Sequence, residues 1–222
     1  MRFPNAQKGV TLLWVSALIG IIIAAVAFVG ALISGVALDN EGTKTAGLSI
    51  VGGAGIAGLV LFILELVGLF KAKQDEKHFG LALFAILFGI IFGVIGSILG
   101  SINNDIVKLV GTFFDLASSL ASLATMTFIF MGIMSLANQL GDGEMVIKGQ
   151  RLIRIIWIVF ALSVLLSFVG TVLPKNVGDW VKIVVAIFAI ASSILEIVST
   201  VLTFLYYGKA KEMLKKYALS KR

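Results

Sequence analysis

The sequence holds no cysteine, two prolines, one histidine and few charges. Without cysteine there is no disulfide, no thiolate metal site and no cysteine nucleophile, and cysteine usage gives no hint of redox compartment. A single histidine cannot supply a metal site or build a Ser-His-Asp triad when no serine stands at a supported spacing from it. His78, beside Lys77 in a connection, reads as a solvated residue at an interface. No loop is long enough to hold a catalytic domain. The sequence therefore predicts no enzyme activity, no catalytic residues, no metal and no cofactor.

Charged residues make up only 14% of the chain and hydrophobic residues 59%, with a mean hydropathy of +1.08. An ordinary soluble domain carries about 25% charged residues. The excess apolar surface needs lipid to cover it. Apolar runs of about 20 residues, enough to cross a hydrocarbon core of roughly 30 Å, recur along nearly the whole sequence and leave no stretch for a soluble domain. They lack the strand alternation of a barrel, and lipid offers no partner to an exposed amide, so the runs predict helices.

The predicted fold class is an all-α integral membrane protein, a six-transmembrane-helix bundle with spans at 10–36, 46–70, 79–102, 107–137, 155–173 and 180–207. The basic N-terminus before a long apolar run copies a signal peptide. The run is nevertheless far longer than a signal core of about 7–15 residues, so cleavage is not expected. With the N-terminus inside, only Lys44, Lys108, Lys175 and Lys182 of the 18 basic residues fall outside. That bias predicts cytoplasmic N- and C-termini and accounts for the net charge of +6 without a nucleic-acid partner. Trp14, Trp157, Trp180, Tyr206 and Tyr207 stand near the predicted interfaces, where amphipathic rings prefer to sit. Short loops without a glycosylation sequon favour a prokaryotic plasma membrane.

The spans group into three tandem helical-hairpin repeats, 9–77, 78–150 and 151–207, followed by a basic cytoplasmic tail, 208–222, all in one membrane domain. Phe70-Lys71-Ala72-Lys73-Gln74, Ser135-Leu136-Ala137-Asn138-Gln139 and Gly208-Lys209-Ala210-Lys211-Glu212 take the same place in each repeat, and Ala117-Ser118-Ser119 corresponds to Ala191-Ser192-Ser193. Two-helix units repeated in tandem keep one orientation, unlike inverted transporter repeats. In span count and repeat order the chain resembles small bacterial membrane proteins built from three helical hairpins, such as the acid-resistance membrane family. That likeness carries over no residue role.

Small residues form seams at helical spacing: Ala17, Gly20, Ala24, Ala27, Ala31 and Ser34 in the first helix, and Ala82, Ala85, Gly89, Gly93, Gly96 and Gly100 in the third. Such seams mark close backbone approach in lipid and argue for a tight bundle. Gly53, Gly55 and Gly58 spell G-x-G-x-x-G inside an apolar span, without the strand-to-helix turn that motif requires, and read as helix packing.

Each returning helix carries one carboxylate on its small-residue face. These are Glu65 in the second, Asp115 with Gly111, Ser118, Ser122 and Thr125 in the fourth, and Glu196 with Ser193, Thr200 and Thr203 in the sixth. An intramembrane carboxylate is costly and is a functional candidate by default. Glu196, Asp115, Glu65, Ser193, Thr200, Ser118 and Ser122 therefore form the candidate intramembrane polar site. The structural alternative pairs Asp115 with Lys108 and Glu65 with Arg154. In the tail, Ala210, Met213, Leu214, Tyr217 and Ala218 lie at helical spacing among lysines. They read either as an amphipathic helix on the inner leaflet or as a plain extension of the last span.

Two functions remain open. One is a non-catalytic scaffold, accessory or stress-protective membrane component, with lipid and a second copy or another membrane protein as partners. The other is a small ion channel or proton-coupled transporter that uses the intramembrane carboxylates.

Overall fold

The computed structural model describes the backbone of residues 3–36, 41–172 and 179–219, and their side chains except at 31–55, 105, 166–186, 188–190, 192, 193, 196 and 219. Among the described residues there are six α-helices and no strand: α1 (Pro4–Val36), α2 (Glu41–Ala72), α3 (His78–Ser101), α4 (Asp105–Leu140), α5 (Gly143–Val172) and α6 (Asp179–Leu219). Among the described residues three stretches, Pro4–Gly30, His78–Ser101 and Ile106–Leu140, are long and apolar enough to cross a membrane. These mark a helical membrane protein.

Local chemistry sets the helix ends. Proline is favoured at a first helical position because it has no amide hydrogen to leave unpaired, and α1 starts at Pro4. Asn104 caps α4, its side-chain oxygen accepting from the amides of Ile106 at 3.0 Å and Val107 at 3.3 Å. At the other end Gly141 adopts φ 78°, and the amide of Asp142 returns to the carbonyl of Ala137 at 2.9 Å, closing α4 in a left-handed turn. Asp142 at once accepts the amide of Met145 at 3.1 Å and so caps α5.

α5 thus begins well before the expected span at 155–173, and the residues ahead of 155 form its first turns. Met145, Leu152, Ile156 and Val159 are buried on one side, while Glu144 and Lys148 pair one turn apart on the exposed side.

The chain divides into two compact units, residues 1–75 with 207–222, and residues 76–206. In the first, α1 and α2 pack antiparallel, with Ala6, Val10, Leu13, Leu69 and Ala72 fully or almost fully buried. The closest approach is Gly9 against Gly68, where a Cβ on Gly9 would lie 2.8 Å from Ala72 Cβ and one on Gly68 would lie 3.0 Å from the Gly9 carbonyl oxygen. Further along, the Ser16 hydroxyl donates to the Leu61 carbonyl at 3.2 Å. Of the expected α1 seam, Ala17, Gly20 and Ala27 are half-buried, Ala24 is exposed, and a Cβ on Gly20 would lie 3.6 Å from Leu61 Cδ1. Ala31 and Ser34 lie outside the described side chains.

In the second unit α3 packs antiparallel on α4, and α4 on α5. Its core gathers Phe79, Ala82, Ile129, Phe130, Ile133 and Leu136 near the start of α3 and the end of α4. Toward the opposite end of α4, Phe113 is 68% exposed. Tyr206 of α6 meets the Phe130 ring edge-on at 5.4 Å and donates to the Met145 carbonyl at 3.4 Å. Tyr206 is buried, and glycine leaves room for it: a Cβ on Gly149 would lie 2.5 Å from the Tyr206 hydroxyl; Tyr207, in the first unit, is buried too. Trp157 is exposed, and Trp180 falls outside the described side chains.

The tail does not bend away. α6 continues unbroken to Leu219, with Ala210, Met213, Leu214 and Ala218 buried.

Candidate functional site

The α3 small-residue seam meets the α4 polar stripe. Ala82, Ala85, Gly89 and Gly96 are buried, and a Cβ on Gly89 would sit 3.3 Å from Ala121 Cβ. Opposite them, Gly111 lies close enough to α3 that an added Cβ would stand 3.0 Å from the Gly100 amide nitrogen. Absent side chains on both helices allow polar groups of α4 to reach the α3 backbone. The Ser118 hydroxyl donates to the Gly89 carbonyl at 2.8 Å. Asp115 lies against Gly96, filling the space a side chain there would take. Its expected partner is engaged elsewhere, since Lys108 Nζ donates to Asn103 at 3.4 Å.

The remaining hydroxyls of the stripe are satisfied within α4. Ser122 donates to the Ser118 carbonyl at 3.2 Å and Thr125 to the Ala121 carbonyl at 2.9 Å. A hydroxyl that bonds back to its own helix can sit in an apolar layer without water. The hydroxyls of Ser118, Ser122 and Thr125 are thus all bonded, with Asp115 and Ser122 exposed, and the bond from Ser118 crosses between the helices as a staple.

Removing that staple should cost little by itself. Ser118→Ala is expected to lose about 0.6 kcal/mol, the average for interhelical hydrogen bonds in membranes. The coupling to Gly93 is more telling, because a Cβ there would press to 3.1 Å from the Ser118 hydroxyl oxygen. Gly93→Ala should destabilise the wild type and be better tolerated in the Ser118→Ala background. Unfolding of the four proteins in a double-mutant cycle reads that coupling.

The other candidate residues lie on other helices. Glu65 is half-buried on α2, in the first unit. Thr200 is exposed on α6. The side chains of Glu196 and Ser193 lie outside the described residues. The glycines of G-x-G-x-x-G are all in helical conformation within α2, where no phosphate-binding turn exists.

A second polar cluster, which the sequence reading missed, stands where α3 begins. Glu76 is only 7% exposed. One of its oxygens lies 2.6 Å from His78 Nδ1, and the other accepts the Ser135 hydroxyl at 2.8 Å and the Gln139 amide at 3.4 Å. His78 is thus half-buried and paired, not simply solvated as its neighbour Lys77 suggested. Burial pushes the Glu76 carboxyl up, but hydrogen bonds from Ser135 and from the His78 ring and backbone outweigh it and hold the group below its ordinary 4.5.

Serine, histidine and glutamate are together here, yet not in the order catalysis requires. A triad routes the serine proton to histidine and histidine to the carboxylate. Here the serine donates to the carboxylate itself, which removes its nucleophilic role. The cluster clasps the α2–α3 turn to the end of α4. Its one sequence signal was the repeat alignment, which set Ser135 and Gln139 at matching ends of a returning helix. Among the described residues no group of histidines and carboxylates could hold a metal ion. No family model, no curated protein and no solved structure matches this chain.

Proposed function

We propose that this protein is a non-catalytic membrane component, a scaffold or accessory subunit in which intramembrane polar groups join helices instead of lining a path. The observation that carries the reading is the Ser118 hydroxyl bonded across the glycine seam to the Gly89 carbonyl, with Ser122 and Thr125 bonded within α4. A transport path needs hydroxyls and carboxylates that face water. A stripe whose hydroxyls are already occupied favours packing.

In this reading the chain makes six spans as three tandem hairpins in a prokaryotic plasma membrane, with both termini cytoplasmic. The antiparallel pairs α1 with α2 and α3 with α4 support the hairpin order, and the basic residues favour the orientation. The partner is a second copy or another membrane protein, packed against the apolar faces that the helices leave open.

The test is proton and monovalent-cation flux in proteoliposomes, with Glu196→Gln as the comparison. The expected result is no flux above that of empty liposomes for either protein. Flux in the wild type that disappears in Glu196→Gln would replace this reading with a small channel or proton-coupled transporter.

A further inference from the structure

The tail separates its two faces in a way that its sequence leaves open. Its apolar stripe, Ala210, Met213, Leu214 and Ala218, is buried, and at its start Gly208 and Lys211 lie on Trp14 of α1. The Lys211 ammonium stands 3.4 Å from the centre of the indole ring, a cation–π contact that fixes the first turn of the tail on α1. Among the described residues of the tail, this stripe is covered by protein and not free to insert into lipid. What the tail presents is charge, for Lys215 and Lys216 are exposed.

More charge lies in the same unit. Asp75, just past the end of α2, accepts the Ala6 amide at 2.7 Å, which ties the start of α1 to the end of α2. Lys8, Lys71 and Lys73 stand exposed at these joined ends. The neighbouring acid Asp75 is already engaged, leaving Glu212 as the tail's own acidic residue.

We propose that the exposed lysines of this unit, Lys215 and Lys216 with Lys71 and Lys73, form a binding surface for the anionic headgroups of membrane lipids, held by charge without apolar insertion. Charge complementarity gives the partner its sign, and position gives its identity. These lysines follow apolar helix within a few turns, at the level where lipid phosphates lie, and basic residues there attract anionic headgroups. The inference rests on the orientation given above, with both termini on the cytoplasmic side.

The test uses the full chain in detergent, incubated with phosphatidylglycerol or phosphatidylcholine, with retained lipid counted by native mass spectrometry at low and high salt. Phosphatidylglycerol should be retained in preference and should be lost at high salt, because screening shortens the reach of a purely electrostatic contact. Lys215→Gln with Lys216→Gln should weaken retention about 30-fold, and Lys71→Gln with Lys73→Gln by a similar factor. Unfolding midpoints in phosphatidylcholine report whether each variant keeps its fold. Equal retention of the two lipids, retention that survives high salt, or indifference to both double variants would overturn the proposal. Such a failure leaves the flux result untouched, so it is distinguishable from failure of the scaffold reading.

Discussion

Gly9→Ala should destabilise the protein by about 3 kcal/mol, the upper end of what overpacking costs, and should do so by separating α1 from α2. The added methyl would press on the Gly68 carbonyl oxygen and lie 2.8 Å from both the Ala72 amide nitrogen and Ala72 Cβ. None of these is the free end of a flexible side chain, so relief requires one helix to move. Asp75 and Ser16 hold the pair on either side of this point through the Ala6 amide and the Leu61 carbonyl, and a shift would strain both contacts. Gly58→Ala is the matched control, because a Cβ there meets nothing within 4 Å. That substitution should be neutral or stabilise by up to about 1 kcal/mol through helix propensity. Denaturant unfolding of the two variants in one detergent checks the contrast, and equal midpoints would remove the claim that Gly9 is where the backbones meet.

The second large effect is expected at Glu76. Glu76→Ala strips the acceptor from Ser135, His78 and Gln139 and should cost about 3 kcal/mol, since hydrogen bonds to charged groups contribute about 1.5–3 kcal/mol each and the abandoned donors partly regain water. Glu76→Gln keeps one acceptor oxygen and should cost roughly half as much. The wild type should also lose stability in acid. Because the folded carboxyl titrates below its ordinary 4.5, the unfolded chain binds the proton more readily. The contribution is therefore complete above 4.5 and disappears as pH falls through the lower folded value. Unfolding midpoints followed from neutral pH to below this window should fall for the wild type, with Glu76→Gln lacking this part of the slope. A parallel decline in both proteins would show that the acid sensitivity arises elsewhere.

Much of the architecture was legible because hydrophobic length and spacing are local properties. Continuous apolar runs gave helices, and the alternating three- and four-residue steps of the α3 small residues named a face that does meet α4. On α1 the tightest contact among the described residues lies outside the small-residue run. Its longest small-residue run begins at Ala17, yet close approach depends on both partners, and the glycine level with Gly68 is Gly9. Spacing within one helix cannot identify the level at which its neighbour is also bare.

The polar groups were legible by position but not by partner. Asp115, Ser118 and Gly111 were correctly placed on one face of α4, and only the structure revealed that the Ser118 hydroxyl ends on the Gly89 carbonyl. Glu76 escaped notice because it sits in a basic connection and looks solvated. Its burial depends on Ser135, 59 residues away, and no local pattern carries that information. The tail shows the reverse case. Its amphipathic spacing was readable, but whether lipid or protein covers the apolar side was decided by Trp14, which lies almost the whole chain away.

If Ser118 staples a dry seam between α3 and α4, water does not reach its hydroxyl in the folded protein. The natural lack of cysteine makes single-cysteine labelling free of background. Ser118→Cys and Asn103→Cys, the latter in the exposed turn between α3 and α4, would be treated with a membrane-impermeant maleimide in native proteoliposomes and again after denaturation. Asn103→Cys should react in every liposome population exposing its side, whereas Ser118→Cys should react only once unfolded. Native labelling of Ser118→Cys at a rate comparable to Asn103→Cys would place water beside the glycine seam and rule out a dry, stapled interface.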